Sequence, residues 1–286
     1  MRKIIQRLPI IVPAVVLALA LLMRYEDPLN LLANARLVIF DYYQRIQPRI
    51  YEPVPVRIVD IDDASLAKLK VQWPWPRTYV AQMVATLANA GAAAIAFDIV
   101  FAEPDRTSPD AIASLWSATS DIGHLKEEMK SLPDHDKVLA DVIKQAGNVV
   151  TGFVGLSEKN DSKPAIKGTF AWAGDDARQF LINYDGAVVN LPQIEQSAAG
   201  NGTFSFRPDS DLVLRRVPLA IEEKGQIYPS LALEALRVAQ GAKTYVIKSS
   251  GSNQETAFGE HTGLNNIKIG NYVVPLSIGA RDMAFP

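Results

Sequence analysis

The sequence predicts an α/β domain with a central, mostly parallel sheet and flanking helices, preceded by one N-terminal transmembrane helix. Three observations lead there. Two apolar runs, residues 56–61 and 93–101, each end in acid, as short buried strands running into loops do. Between them lies an amphipathic run, residues 78–89, closed by Gly91 as a helix C-terminus is. Strand, helix and strand in that order form a parallel crossover unit, which is right-handed almost without exception. The third observation is an uncharged apolar run, residues 8–23, with Arg2, Lys3 and Arg7 before it and Arg24, Glu26 and Asp27 after it.

Taken in order, the elements begin with that anchor. With Ile4 and Ile5 included it approaches the ~20 residues that span a hydrocarbon core. The basic residues at its start predict a cytoplasmic N-terminus and an exported remainder. A cleaved signal peptide has the same order of basic, apolar and small residues. Here Ala18 and Ala20 lie inside the apolar run, and large, charged residues follow Met23, so no cleavage site stands out. Residues 31–50 have helical apolar spacing in Leu32, Ala35, Val38, Ile39, Tyr42 and Tyr43, for packing or for passing a tilt to the membrane. Pro48, Pro53 and Pro55 then extend the chain into the first strand. Further strands are expected at 149–156, 212–220 and 267–275 or part of it, with helices at 134–146 and 229–239. Residues 157–177, rich in Lys, Gly, Asp and Ala, read as a surface excursion. The domain organisation is therefore 1–23 basic flank and anchor, 24–55 juxtamembrane helix and linker, and 56–286 the exported domain.

Composition narrows the function. The 286-residue chain is long enough for a sizeable core. A net charge of -2 gives no electrostatic reason to expect nucleic acid. Zero cysteines remove disulfides, thiolate zinc sites and cysteine nucleophiles together. No Gly-x-Ser-x-Gly elbow or Gly-Lys-Ser phosphate loop is present, so catalysis within this chain is not expected.

The candidate site residues cluster at the acidic strand ends. Ligands of open parallel sheets bind beyond the carboxyl ends of the strands. Asp60, Asp62 and Asp63 follow one predicted strand, and Asp98 and Glu103 lie at or past the end of the next. Strands ~4.8 Å apart would let carboxylates from both converge on a hydroxylated ligand or a divalent cation, for which Asp62 and Asp98 are the candidates. The structural alternative is that Asp62 or Asp63 caps a short helix starting near Ala64, and that Asp98 satisfies loop amides.

In Trp73-Pro74-Trp75-Pro76-Arg77, Pro76 suits the first turn of the next helix. Trp75 and Arg77 either pack the sheet end or face an anionic or aromatic ligand. Arg215 and Arg216 sit in a strand-like run, so alternation sends them to opposite faces; Arg215 reads as structural and Arg216 as a ligand candidate. An inward arginine needs a carboxylate, from Asp98 or Asp211. His124, His135 and His261 lack metal-ligand spacing, and Asp134 beside His135 reads as a helix cap.

These motifs resemble the CHASE type-two sensor domain, an extracytoplasmic module of bacterial transmembrane receptors. The likeness continues through Asp105-Arg106-Thr107-Ser108-Pro109, Leu132-Pro133-Asp134-His135-Asp136, Ala198-Ala199-Gly200-Asn201-Gly202, Arg215-Arg216-Val217-Pro218-Leu219 and the run from Tyr228 to Arg237, in the family's order. It implies a sensor for a small ligand or other periplasmic signal, held in the inner membrane and dimeric through the whole receptor. Its effector would be an adenylate/guanylate cyclase, a histidine kinase or a serine/threonine kinase. The Thr-Ser-Pro and Leu-Pro-Asp-His-Asp segments look most like cyclase-linked members. Two departures stand out. The family's Asp-x-Asp-Gly turn is Asp209-Ser210-Asp211-Leu212 here, and Leu212 does not take a positive φ cheaply, so another turn geometry is expected. The chain also stops at Pro286, before the family's final sensor strands, which implies a piece of a longer receptor. Two readings from other classes remain beside the sensor: a periplasmic metal-dependent enzyme, and a domain that only dimerises the receptor.

Overall fold

The structure, a computed structural model, describes residues 12–13, 16–17, 31–115, 123–252 and 263–276. Apart from four residues, the expected membrane anchor lies outside these, as does His261. Among the described residues no helix is long and apolar enough to cross a membrane. The chain divides into two units, residues 1–61 with 208–213, and residues 62–207 with 214–286.

In the first unit, helix α1 (Leu31–Ile46) is followed by an extended lead. The predicted first strand, residues 56–61, does not form. Val56, Ile58 and Val59 are exposed, and the Arg57 guanidinium donates to the Val54 and Val56 carbonyls at 3.2 and 2.9 Å. Those acceptors would otherwise serve a ladder, and Pro53 and Pro55 bring no amide hydrogen.

The Asp209-Ser210-Asp211-Leu212 turn also corrects expectation. Leu212 does take the left-handed conformation, with φ 63, and its amide donates to Asp209 O at 2.9 Å. Asp209 N reaches Val213 O at 3.1 Å, so a three-residue loop closes with its left-handed position filled by leucine instead of glycine. Within the same unit Ser210 Oγ donates to Asn34 Oδ1 at 3.1 Å.

The second unit is mixed α/β. Its helices are α2 (Asp63–Leu69), α3 (Arg77–Asn89), α4 (Pro109–Leu115), α5 (Gly123–Lys130), α6 (His135–Ala146), α7 (Pro192–Ser197) and α8 (Leu231–Ala239). In place of one mostly parallel sheet, the described residues form three small ones. The first joins β1 (Ile95–Ala96), β2 (Val149–Leu156), β5 (Gly186–Val188) and β6 (Gly200–Thr203); the third orders β4 (Ile182–Tyr184), β7 (Ala220–Glu223) and β8 (Gln226–Pro229). The second runs β11 (Tyr272–Pro275), β10 (Leu264–Ile269), β9 (Thr244–Ser249) and β3 (Thr169–Ala173). Beside the parallel pairs β1·β2, β2·β6, β3·β9 and β4·β7 stand antiparallel ones, two of them closed by tight turns. Lys224-Gly225, both at positive φ, closes β7 onto β8, and Gly270 at φ 52 splits the predicted 267–275 strand into the β10·β11 hairpin.

The parallel crossover exists, but runs β1–α6–β2, with Ile95 beside Val149 and Ala96 beside Val150. β1 is much shorter than the expected 93–101, because after Phe97 the chain leaves the ladder. Phe101 N is taken by the Asn190 side chain at 2.8 Å, and its carbonyl by Leu191 N at 2.8 Å. The predicted strand 212–220 also fails except at Ala220, and the 157–177 excursion contains β3. Val80, Val84, Phe97, Phe101, Leu139, Ile143, Val149 and Ile194 make one core between α3, α6 and the first sheet. Tyr245, Ile247, Ile267 and Ile269 anchor a second on the β9·β10 pair.

Candidate functional site

Three turns that lie far apart in sequence meet at the N-termini of α3 and α6. The first leads into α3. Its Trp75 is buried and donates Nε1–H to Val71 O at 3.1 Å, with ring neighbours Trp73 and Tyr79 at 6.1 and 6.5 Å. Pro76 holds the N-cap position and its carbonyl accepts the Tyr79 amide, but it has no side-chain cap to offer. The cap comes from elsewhere: Asp105 Oδ2 accepts the Arg77 amide at 2.7 Å. A carboxylate is favoured at that end by both the unpaired amides and the helix dipole.

Asp105 itself lies in a tight turn, its Oδ1 accepting from Thr107 N and Oγ1 at 2.8 and 2.7 Å. His135 Nδ1 is 3.2 Å from Asp105 Oδ2 and 3.4 Å from Thr107 Oγ1. The Asp105 amide in turn donates to Asp136 Oδ2 at 2.8 Å. The Arg77 side chain completes the joint. Its Nε reaches Asp136 Oδ1 at 3.3 Å, Nη2 reaches Glu103 O at 3.3 Å, and the guanidinium lies 4.6 Å from the Phe101 ring centroid. Asp134 caps α6 through the Asp136 amide at 3.3 Å and accepts from Ser108 Oγ at 3.1 Å, while Ser108 Oγ accepts the His135 amide.

Electrostatics separates the two buried acids. Burial raises Asp105, but the Arg77 amide, Thr107 and His135 outweigh it and hold the carboxyl below the ordinary 3.8. Burial also raises Asp136, and there the Asp105 amide and the Arg77 charge do not offset it, with Asp134 and Asp105 pushing the same way. All four carboxylate oxygens are engaged by protein donors, an arrangement that suits a joint between two helices more than a base waiting for a substrate.

Asp62 caps α2, accepting from Ser65 N and Oγ at 2.8 and 2.6 Å, which lowers its pKa; Asp63 opens the first turn. Asp98 and Glu103 are exposed, and of Glu103 only the backbone carbonyl joins the network. Arg215 is half-buried and Arg216 exposed. Among the described residues no group of three or more His, Asp or Glu side chains is placed to hold a metal ion.

A second polar cluster escaped the sequence reading. Glu234, fully buried on α8, receives Arg237 Nε and Nη2 at 2.9 and 2.7 Å, the Asn201 amide at 3.2 Å and the Tyr245 hydroxyl. Asn201 Nδ2 continues to Glu195 Oε1 at 2.7 Å. Burial first, then the Glu234 charge, pushes the Tyr245 hydroxyl up, and burial pushes Glu195 up. The available signal was a Glu and an Arg three apart in an otherwise apolar helix, which must bury as a pair.

The comparisons agree with the motifs that meet here. The family model of the CHASE2 domain matches residues 14–279. No curated protein and no solved structure matches the chain. With nearly the whole chain matched, the protein belongs to the CHASE2 domain family of extracellular sensory domains.

Proposed function

We propose that this chain is the extracytoplasmic input module of a bacterial membrane receptor, with its N-terminus cytoplasmic and a nucleotide cyclase as effector. The observation that carries the reading is the Arg77 joint. Three segments of the family likeness, remote in sequence, are bound to one another through Arg77, Asp105 and Asp136 at the entry of two helices. A signal that favours breaking or keeping such a joint would shift the domain as a whole. The likeness of Thr107-Ser108-Pro109 and the turn at Asp134 to cyclase-linked members supports the effector. A small ligand or other periplasmic signal, not a resident cofactor, is the input.

The test uses the whole receptor in membranes. Deleting residues 56–241 should abolish its stimulus-dependent cyclic-nucleotide output, and the exported part alone should make none. Single cysteines at positions 3 and 159 of this cysteine-free chain report topology with an impermeant thiol reagent. Position 159, exposed in the fold, should label in intact cells and position 3 should not. Turnover by the exported part, or an unaltered response after the deletion, would remove the sensor reading.

A further inference from the structure

Helix α1 is apolar on two opposite faces, and only one of them is covered. Leu37, Phe40 and Asp41, spaced i, i+3 and i+4, are half-buried. On the other side Ala35, Ile39, Tyr42 and Ile46 are exposed, Ile39 by 53%, Tyr42 by 61% and Ile46 by 60%. Their spacing of four, three and four is that of a coiled-coil seam. A contiguous apolar seam left exposed on a helix marks a surface that a partner covers.

We infer that this seam is a homotypic interface, a parallel two-stranded contact with α1 of a second copy of the chain. The residue types favour that occupant. Ile39 and Ile46 fall at the a positions, where β-branched side chains select two strands, and Ala35 and Tyr42 fall at d. Charge agrees: flanking Arg36 lies at e and Arg45 at g, so in a parallel pair neither arginine faces its counterpart. A membrane surface fits less well, because a helix lying on lipid needs a strongly polar opposite face, and Leu37 and Phe40 interrupt that face among Asn34, Asp41 and Gln44. Two heptads are too short to hold free chains together. Copies anchored in one membrane need far less, since tethering raises their effective concentration. The parallel direction thus rests on the anchored-receptor reading above.

The test is single-cysteine cross-linking of the full chain in native membranes, which needs no background removal because the sequence has no cysteine. Disulfides form only when Cα atoms come within ~7 Å. Mild oxidation should cross-link Ile39→Cys, Tyr42→Cys and Ile46→Cys at least about five times more than Leu37→Cys, Asp41→Cys and Gln44→Cys. Adding Ile39→Glu should cut cross-linking at position 46 about tenfold, while Gln44→Glu should leave it within about twofold. Flat yields, a maximum at 37, 41 and 44, or no cross-link although 39 and 42 are shielded from thiol reagents would each overturn the inference. The last outcome would give the face to the bilayer or to another segment. Release of the chain by alkaline washing of the membranes would instead defeat the anchored reading, a result separate from the cross-linking pattern.

Discussion

Asp105 and Asp136 share one joint and titrate in opposite directions, so acid acts on them in sequence. Asp105 is depressed: its contribution to stability is complete above 3.8 and is lost as pH falls through its lower folded value. Asp136 is raised: the unfolded chain releases that proton first, so its contribution favours folding below 3.8 and fades as pH climbs to the raised value. Thermal unfolding from neutral pH downward should therefore show stability rising slightly through the raised Asp136 value, then falling below 3.8. Glu195 is raised and Asp62 and Asp176 are lowered as well, so Asp136→Asn should reduce the rise and Asp105→Asn should reduce the fall; identical profiles for the two variants would contradict this assignment. Leu212 makes a separate residue-scale case. A left-handed leucine costs roughly 1–2 kcal/mol that glycine avoids, and its side chain is exposed, so Leu212→Gly should stabilise the chain by about 1 kcal/mol in a denaturant titration. A loss of stability would show that the side chain does more than its exposure suggests.

At the scale of elements, the close fit of β6 against the start of α8 explains the Ala198-Ala199-Gly200-Asn201-Gly202 run. A Cβ on Gly202 would stand 2.8 Å from Leu231 Cα and from Ser230 O, both backbone atoms that no rotamer change can move. Gly202→Ala should therefore cost about 3 kcal/mol by equilibrium unfolding, and a near-neutral result would mean that α8 can shift. The helices with clear caps and apolar periods were legible because those signals are local, whereas the short α4, α5 and α7 were not expected. Asp134 and Gly147 bracket α6, and the period of residues 78–89 gave α3 within a residue. The strand 149–156 was legible too, from its Val, Thr and Phe residues. Strands 56–61 and 212–220 were not, because an apolar or alternating run names a strand without naming its partner. In the first, the Arg57 guanidinium and two prolines spend or remove ladder groups; in the second, a left-handed Leu212 turns the chain. The site divides the same way. The Asp62 and Asp134 caps follow from spacing of two or three residues, whereas Arg77 meets Asp105 and Asp136 across 28 and 59 positions, which no local pattern encodes.

For the whole molecule, the question is whether the Arg77 joint transmits or merely holds. A ligand moves a two-state receptor only by its differential affinity, and a ~10-fold change in output needs only ~1.4 kcal/mol of coupling. One guanidinium bound to a buried carboxylate, a carbonyl and a ring face is of that order. Arg77→Lys keeps the charge and gives up the planar reach to three partners at once, so it should bias the joint without emptying it of charge. In the receptor proposed above it should change basal output several-fold and compress the stimulus response, with membrane levels close to the parent. Gly202→Ala supplies the control, since it loosens the β6·α8 packing and leaves the joint intact. If the two variants lower stability alike and alter output alike, Arg77 is structural only. A changed output for Arg77→Lys, with Gly202→Ala affecting abundance but not the response of the receptors that remain, would assign the joint to signalling.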